Sequence, residues 1–327
     1  MSNYVKGEGI ILGVGVEDTR GTWVSPQMWI PGRTPTSIKS VPEVINVAET
    51  KATGMDAQNT EIVLQKASGS FEFNVRVESF GFFLKSYLGK ITTSGVESGV
   101  YEHTFEVLTE EPQHPSLSAS LSMPTVQDYK YPLTIIGSLE IRTPIEDLVN
   151  ATVEIEAGAE EKAGADFFTP TFESTDYRIR HQDITIKIAA DEASLDGAEA
   201  ISLKSFSSSH NANVKRNQNV GELSGVEILT GLHNMELTFS SDYLDETYRD
   251  MLEDNDDKAV RVEMKRNDIT IGNSSNPTIQ INYPKVNLTA RDQDRPLDDI
   301  VVDTCTAKVL SAPNIVITNE REDYDNE

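Results

Sequence analysis

The sequence predicts a mainly β protein: antiparallel sheet with two short helices on its flank. Two observations carry this. Apolar and polar residues alternate over many short runs, and turn residues recur between the runs. A third observation, a strand-then-helix unit that occurs twice, predicts that the fold is duplicated.

Residues 70–77 alternate without a break, as do residues 151–155, 183–188, 234–239 and 260–264. Such alternation gives a sheet with one buried and one solvated face, which favours antiparallel pairing. Turn signals separate the runs at Gly54, Gly69, Gly99, Asn276-Pro277 and Asp294-Arg295-Pro296. Residues 79–88 read as a helix with Phe80, Phe83, Leu84 and Tyr87 on one face, ended by Gly89 as its cap. Residues 242–252 read as a second helix that gathers Leu244, Tyr248, Met251 and Leu252, with Ser241 or Asp242 capping its start. Both are short, so each needs a sheet to dock on.

At an offset of 164 the two strand–helix units overlay without a gap: residues 72–75 fall on 236–239, and Tyr87-Leu88 on Met251-Leu252. Downstream, residues 133–156 and 279–309 each read as strand, turn, strand, with turns at Thr143-Pro144 and Arg295-Pro296. The predicted organisation is an N-terminal arm (1–35), repeat 1 (36–157), a small polar linker (158–174), repeat 2 (175–318) and an acidic tail (319–327). The arm is rich in glycine and holds Trp23 and Trp29.

Charge excludes one function class. With 28 basic residues against 53 acidic ones, the net charge is −25 and no basic run exists. A protein that grips nucleic acid needs clustered Lys and Arg to displace counterions, so tight DNA binding is not expected. An acidic surface past which DNA slides fits, and so does charge kept for solubility. No apolar run is long enough to span a bilayer, and residues 10–16 make a poor secretory signal. The single cysteine, Cys305, sits in a strand-like run and reads as a buried, inert thiol.

The motifs that suggest chemistry fail on inspection. Gly13 and Gly15 are followed by Asp18 where a dinucleotide fingerprint needs its third glycine. His103, His114, His181, His210 and His233 never fall three or four residues apart, so no helical metal pair exists. Residues 254–257 are dense in acids but lack the glycine and distal Glu of a calcium loop, and Asp292, Asp294, Asp298 and Asp299 read the same way. No nucleophile elbow occurs. No catalytic, cofactor-binding or metal-binding residue is therefore expected.

Residues 13–31, with Gly-Val-Gly-Val-Glu-Asp-Thr-Arg-Gly-Thr-Trp at their start, resemble the opening of the tail tube (major tail) proteins of long-tailed bacteriophages. So do Gly69-Ser-Phe-Glu-Phe73, residues 81–93, Tyr101-Glu-His-Thr-Phe105 and residues 141–153. The resemblance covers about the first 155 residues, and reaches the second half through the duplication. It implies a β-sandwich or barrel-like tube domain flanked by a helix, in a structural virion protein rather than an enzyme. Subunits would join sheets into a ring, rings would stack, and DNA would pass through the lumen without specific binding. Tail tip or initiator, terminator and tape measure proteins would be partners, and no membrane. A duplicated chain implies a trimeric ring with pseudo-sixfold symmetry, with a hexamer as the alternative. Lumen carboxylates would keep phosphates from sticking. The N-terminal arm, residues 41–54 and the tail would make ring-to-ring contacts, so removal of residues 1–30 should leave a folded subunit that does not polymerise. Competing readings are another ring component of a tail or injection device, a β-sandwich binding module, and a β-rich hydrolase.

Overall fold

A computed structural model of the chain describes residues 6–47, 59–224, 227–298 and 300–325. The first half holds β1 (Ile11–Val16), β2 (Met28–Ile30), β3 (Lys39–Ser40), β4 (Glu43–Val47), β5 (Asn59–Leu64) and β6 (Ala67–Asn74). Helix α1 (Ser79–Leu88) follows, then β7 (Gly89–Glu97), β8 (Val100–Val107), β9 (Leu117–Ser122), β10 (Asp128–Thr143), β11 (Asn150–Ala157) and β12 (Glu161–Gly164). The second half holds β13 (Ile184–Ala189), β14 (Ala200–Ile201), β15 (Ser205–Asn211), β16 (Lys215–Asn217), β17 (Glu227–Leu229) and β18 (Asn234–Asp242). Helix α2 (Thr247–Glu253) leads to β19 (Asp257–Lys265), β20 (Thr278–Asp294), β21 (Val302–Val309) and β22 (Asn314–Asn319).

The fold is mainly β and every strand ladder is antiparallel, as the alternating runs require. The ladders branch at β10 and β20 and close no barrel among the described residues, although the single bridge Gly32↔Phe73 brings the chain after β2 back onto β6.

The two halves carry one pairing diagram. In the first, β1 pairs β2 and β9, β9 pairs β10, β10 pairs β11 and β12, β11 pairs β6, β6 pairs β3, and β4 pairs β5. In the second, β13 pairs β14 and β19, β19 pairs β20, β20 pairs β21 and β22, β21 pairs β18, β18 pairs β15, and β16 pairs β17. Among the described residues the β7–β8 hairpin has no counterpart; it pairs with β22 across the halves.

The register agrees residue by residue. An offset of 152 carries Ile141↔Ala151 onto Gln293↔Asp303, and carries the bulge at Gly137 onto one at Thr289. The same offset carries Tyr131-Pro132 onto Tyr283-Pro284, and the ladders to β9 and β19 break register beside each pair. Proline lacks an N–H and costs a ladder bond. There each long strand leaves one partner and continues with others.

For the strand–helix unit the offset is 168 rather than 164: Phe71 falls on Phe239, and the helix starts Ser79 and Thr247 coincide. A slip of four residues is invisible to patterning. Four is even, so a strand keeps its faces, and residues four apart share a helix face.

Helix α1 is wholly buried, packed on β1, β2, β7, β8 and β10, and ends at Gly89 with φ +91°. Helix α2 offers only Tyr248, Met251 and Leu252 to the core. Residues 1–35, expected as an arm, contain β1 and β2, whose Leu12, Val14, Met28 and Ile30 are buried in the main core. The expected linker contains β12, paired with β10. In the expected acidic tail, Asn319 belongs to β22, and Tyr324 is buried against Phe82, Phe105 and His103. The expected contact segment 41–54 lies outside the described residues beyond Val47.

Candidate functional site: one acidic sheet face

Eight strands run side by side in the order β3, β6, β11, β10, β15, β18, β21, β20. The first four come from one half and the last four from the other. Alternation splits this sheet into two faces. One is core: Phe71, Phe73, Leu139, Ile141, Val153, Phe206, Leu237, Phe239 and Cys305 are all buried there. The other is solvated over its centre; toward its end Ile135 of β10, opposite Glu156, is covered by Ile228 from the β16–β17 hairpin. Its residues are Ser70 and Glu72, Thr152, Glu154 and Glu156, Ser138, Glu140 and Arg142, Ser207 and Ser209, Glu236 and Thr238, Thr304, Thr306 and Lys308, and Asp292 and Asp294.

The carboxylates on this face are spaced by hydroxyls. Across the strands, Glu72 stands opposite Thr152, Thr152 opposite Glu140, Glu140 opposite Ser209, and Ser209 opposite Glu236. Like charges directly opposite would destabilise the ladder, and Ser and Thr remove that conflict. Ser138 donates to Glu154 at 2.8 Å, and Arg142 pairs with Glu140 at 2.7 Å. The face remains net acidic, with seven carboxylates and two bases among the residues named. Such a face repels a polyanion and offers it no cation cluster.

The residues weighed for chemistry are placed elsewhere. Cys305 faces the core from β21, and burial pushes its thiol up to about 11. His114, His210 and His233 converge on Tyr87, a gathering that sequence spacing does not reveal. His233 Nδ1 lies 3.1 Å from the Tyr87 hydroxyl, and His114 Nδ1 lies 2.9 Å from the Tyr87 carbonyl. His210 contacts Ser208 and, at 3.0 Å, the Tyr283 hydroxyl. Burial lowers all three, His210 to about 3 and His233 to about 4, so these rings are neutral. His103 is likewise held neutral by burial between Thr93 and the Arg321 carbonyl. His181 stands apart, in a short 3-10 turn before β13.

Among the described residues no group of three or more His, Cys, Asp or Glu could hold a metal. Asp256 pairs with Lys258 and Asp257 with Lys285, in the turn that ends α2. Asp292 and Asp294 lie on the sheet, Asp298 lies beyond its end, and Asp299 is outside the described residues. The cleft of ≈ 540 Å³ between residues 107–114, 230–235 and 309–312 holds His114 and His233, whose Nδ1 atoms are engaged by Tyr87. A flat aromatic platform of the carbohydrate-binding kind is missing at Trp23 too: Lys130 Nζ covers its ring at 3.9 Å.

The fold defines a mainly β protein with one acidic, solvated sheet face. The chain belongs to the phage tail tube protein family, whose model matches residues 7–303. No curated protein matches it. It is accordingly a tail component of the virion with a structural role in the tail tube, assembling with itself and with other tail proteins.

Proposed function

We propose that this chain is a duplicated tail tube subunit, and that three copies close a ring with pseudo-sixfold symmetry. The acidic sheet face turns inward and DNA passes along it without specific binding. The chain acts as scaffold, not as catalyst. One observation supports this reading: the eight-strand sheet is made of four equivalent strands taken twice, and among the described residues it is open at both ends. Open edges expose unpaired N–H and C=O groups, and a closed ring pairs them.

Carboxylates on the inner face act over about 8 Å at physiological salt. That reach keeps phosphates off the wall without a long-range barrier to entry. Electron microscopy of the assembled protein tests the reading: threefold rings and hollow tubes are expected. Rings of six copies, or a carboxylate face on the outside of the tube, would overturn it.

A further inference from the structure

The join between the two halves is a template for the join between copies. Within the chain, β15 is paired on both sides, to β18 and to β10. Among the described residues its counterpart β3 is paired on one side only, to β6, and the counterpart of β10, residues 290–294 of β20, is paired only to β21. Because β3 pairs Lys39 with Ser68 as β15 pairs Ser209 with Glu236, Lys39 occupies the place of Ser209. Ser209 stands opposite Glu140, and Glu140 occupies the place of Asp292.

We propose that residues 37–41 of one copy add to residues 290–294 of the next as antiparallel strands, with Lys39 opposite Asp292 and Ser37 opposite Asp294. The inference rests on the ring reading above and gives it a register.

Charge supports this occupant. Lys39 is the one charged residue in segment 37–41, and it meets the acidic pair Asp292 and Asp294. Both Lys39 and Asp292 are exposed, and neither forms an ion pair among the described residues. Where the internal join sets a hydroxyl against a carboxylate, the join between copies sets an ammonium against one. The backbone is ready: Ser37 N donates to the Ser70 carbonyl at 3.0 Å and Val41 N to the Lys66 carbonyl at 2.7 Å, so the segment already lies along β6.

The neighbouring hairpins agree. The β16–β17 hairpin, which follows β15, covers the first half by burying Ile228 against Leu133 and Ile135, and Arg216 donates to the Ala157 carbonyl at 2.7 Å. The matching β4–β5 hairpin leaves Val44, Ile45, Ile62 and Val63 exposed. In the proposed ring these residues cover the neighbouring copy.

The test is disulfide trapping in the full chain carrying Lys39→Cys and Asp292→Cys, with Cys305 buried and silent. Oxidation should give dimers and then a closed three-copy species as the end point. Lys39→Cys with Gln293→Cys should not cross-link, because a one-residue slip sends the side chain to the other face. Rings that form while the first pair of introduced thiols stays unbridged would sink the register and leave the ring reading intact. Absence of rings and of cross-links would sink both. Independently, Lys39→Glu and Asp292→Lys should each weaken assembly roughly fivefold or more, with thermal stability unchanged, and the double reversal should restore it. Single variants that assemble like the parent would overturn the pairing.

Discussion

Glu78, just before α1, is buried, and burial pushes its carboxyl up to about 7. Above that pH the folded chain carries a charge that its surroundings resist. The unfolded carboxyl ionises near its ordinary value of about 4, so the cost grows from there up through 7; Glu78→Gln should therefore stabilise the protein at pH 8, by roughly 1–2 kcal/mol, and have little effect at pH 4, where the carboxyl is largely protonated in both states. Thermal melts at the two values check this. The buried histidines act in the opposite sense. Their folded values lie below the ordinary 6.5, so they leave stability untouched above that pH and withdraw it as pH falls toward 4 and 3, where the unfolded chain binds protons first. Tyr324 anchors the C-terminal segment: its hydroxyl donates to the Glu78 carbonyl at 3.0 Å, and its ring fills the space beside Gly81, where a Cβ would collide with it. Tyr324→Ala should cost about 3–4 kcal/mol, read from denaturant unfolding.

Among the elements, the N-terminal strands decide how truncation behaves. β1 is paired along its whole length to β9, and Leu12 and Ile30 are fully buried. Removing residues 1–30 strips this edge from β9 and opens the core beneath it. The expected product is an unfolded or aggregated chain, not a folded subunit that fails to polymerise; circular dichroism with size exclusion distinguishes them. In the sequence the glycines of this segment suggest flexibility. In the fold two of them serve close packing: a Cβ at Gly13 would meet the Trp29 ring, and one at Gly15 the Ser25 carbonyl.

For the molecule as a unit, the acidic face is the feature that the proposed ring would turn toward DNA. Glu72, Glu140, Glu154 and Glu236 project from one side of the eight-strand sheet. Replacing all four by Lys should leave the chain folded, because they lie on the solvated face, yet slow DNA passage about tenfold or more in an ejection assay. Added salt should recover much of the loss, since exposed charges are screened. Equal damage to tube formation and DNA passage would count against a lumen role.

The class is legible in the residues alone. Period-two alternation marks the strands and their buried faces, α1 lies where its apolar face and Gly89 predict, and the residue patterns of the first half point to the family. The repeated pairing diagram is legible in part, but at an offset four residues off for the strand–helix unit, because an even slip near one helical turn leaves both periodicities unchanged. A sharper signal lies in the repeated Tyr-Pro pair at 131–132 and 283–284. Which strands neighbour each other is set by the folded chain, and with it which carboxylates share a face and which edges stay open. Those facts rest on pairings between residues far apart in the chain, such as Glu140 with Ser209, and local pattern holds no record of them.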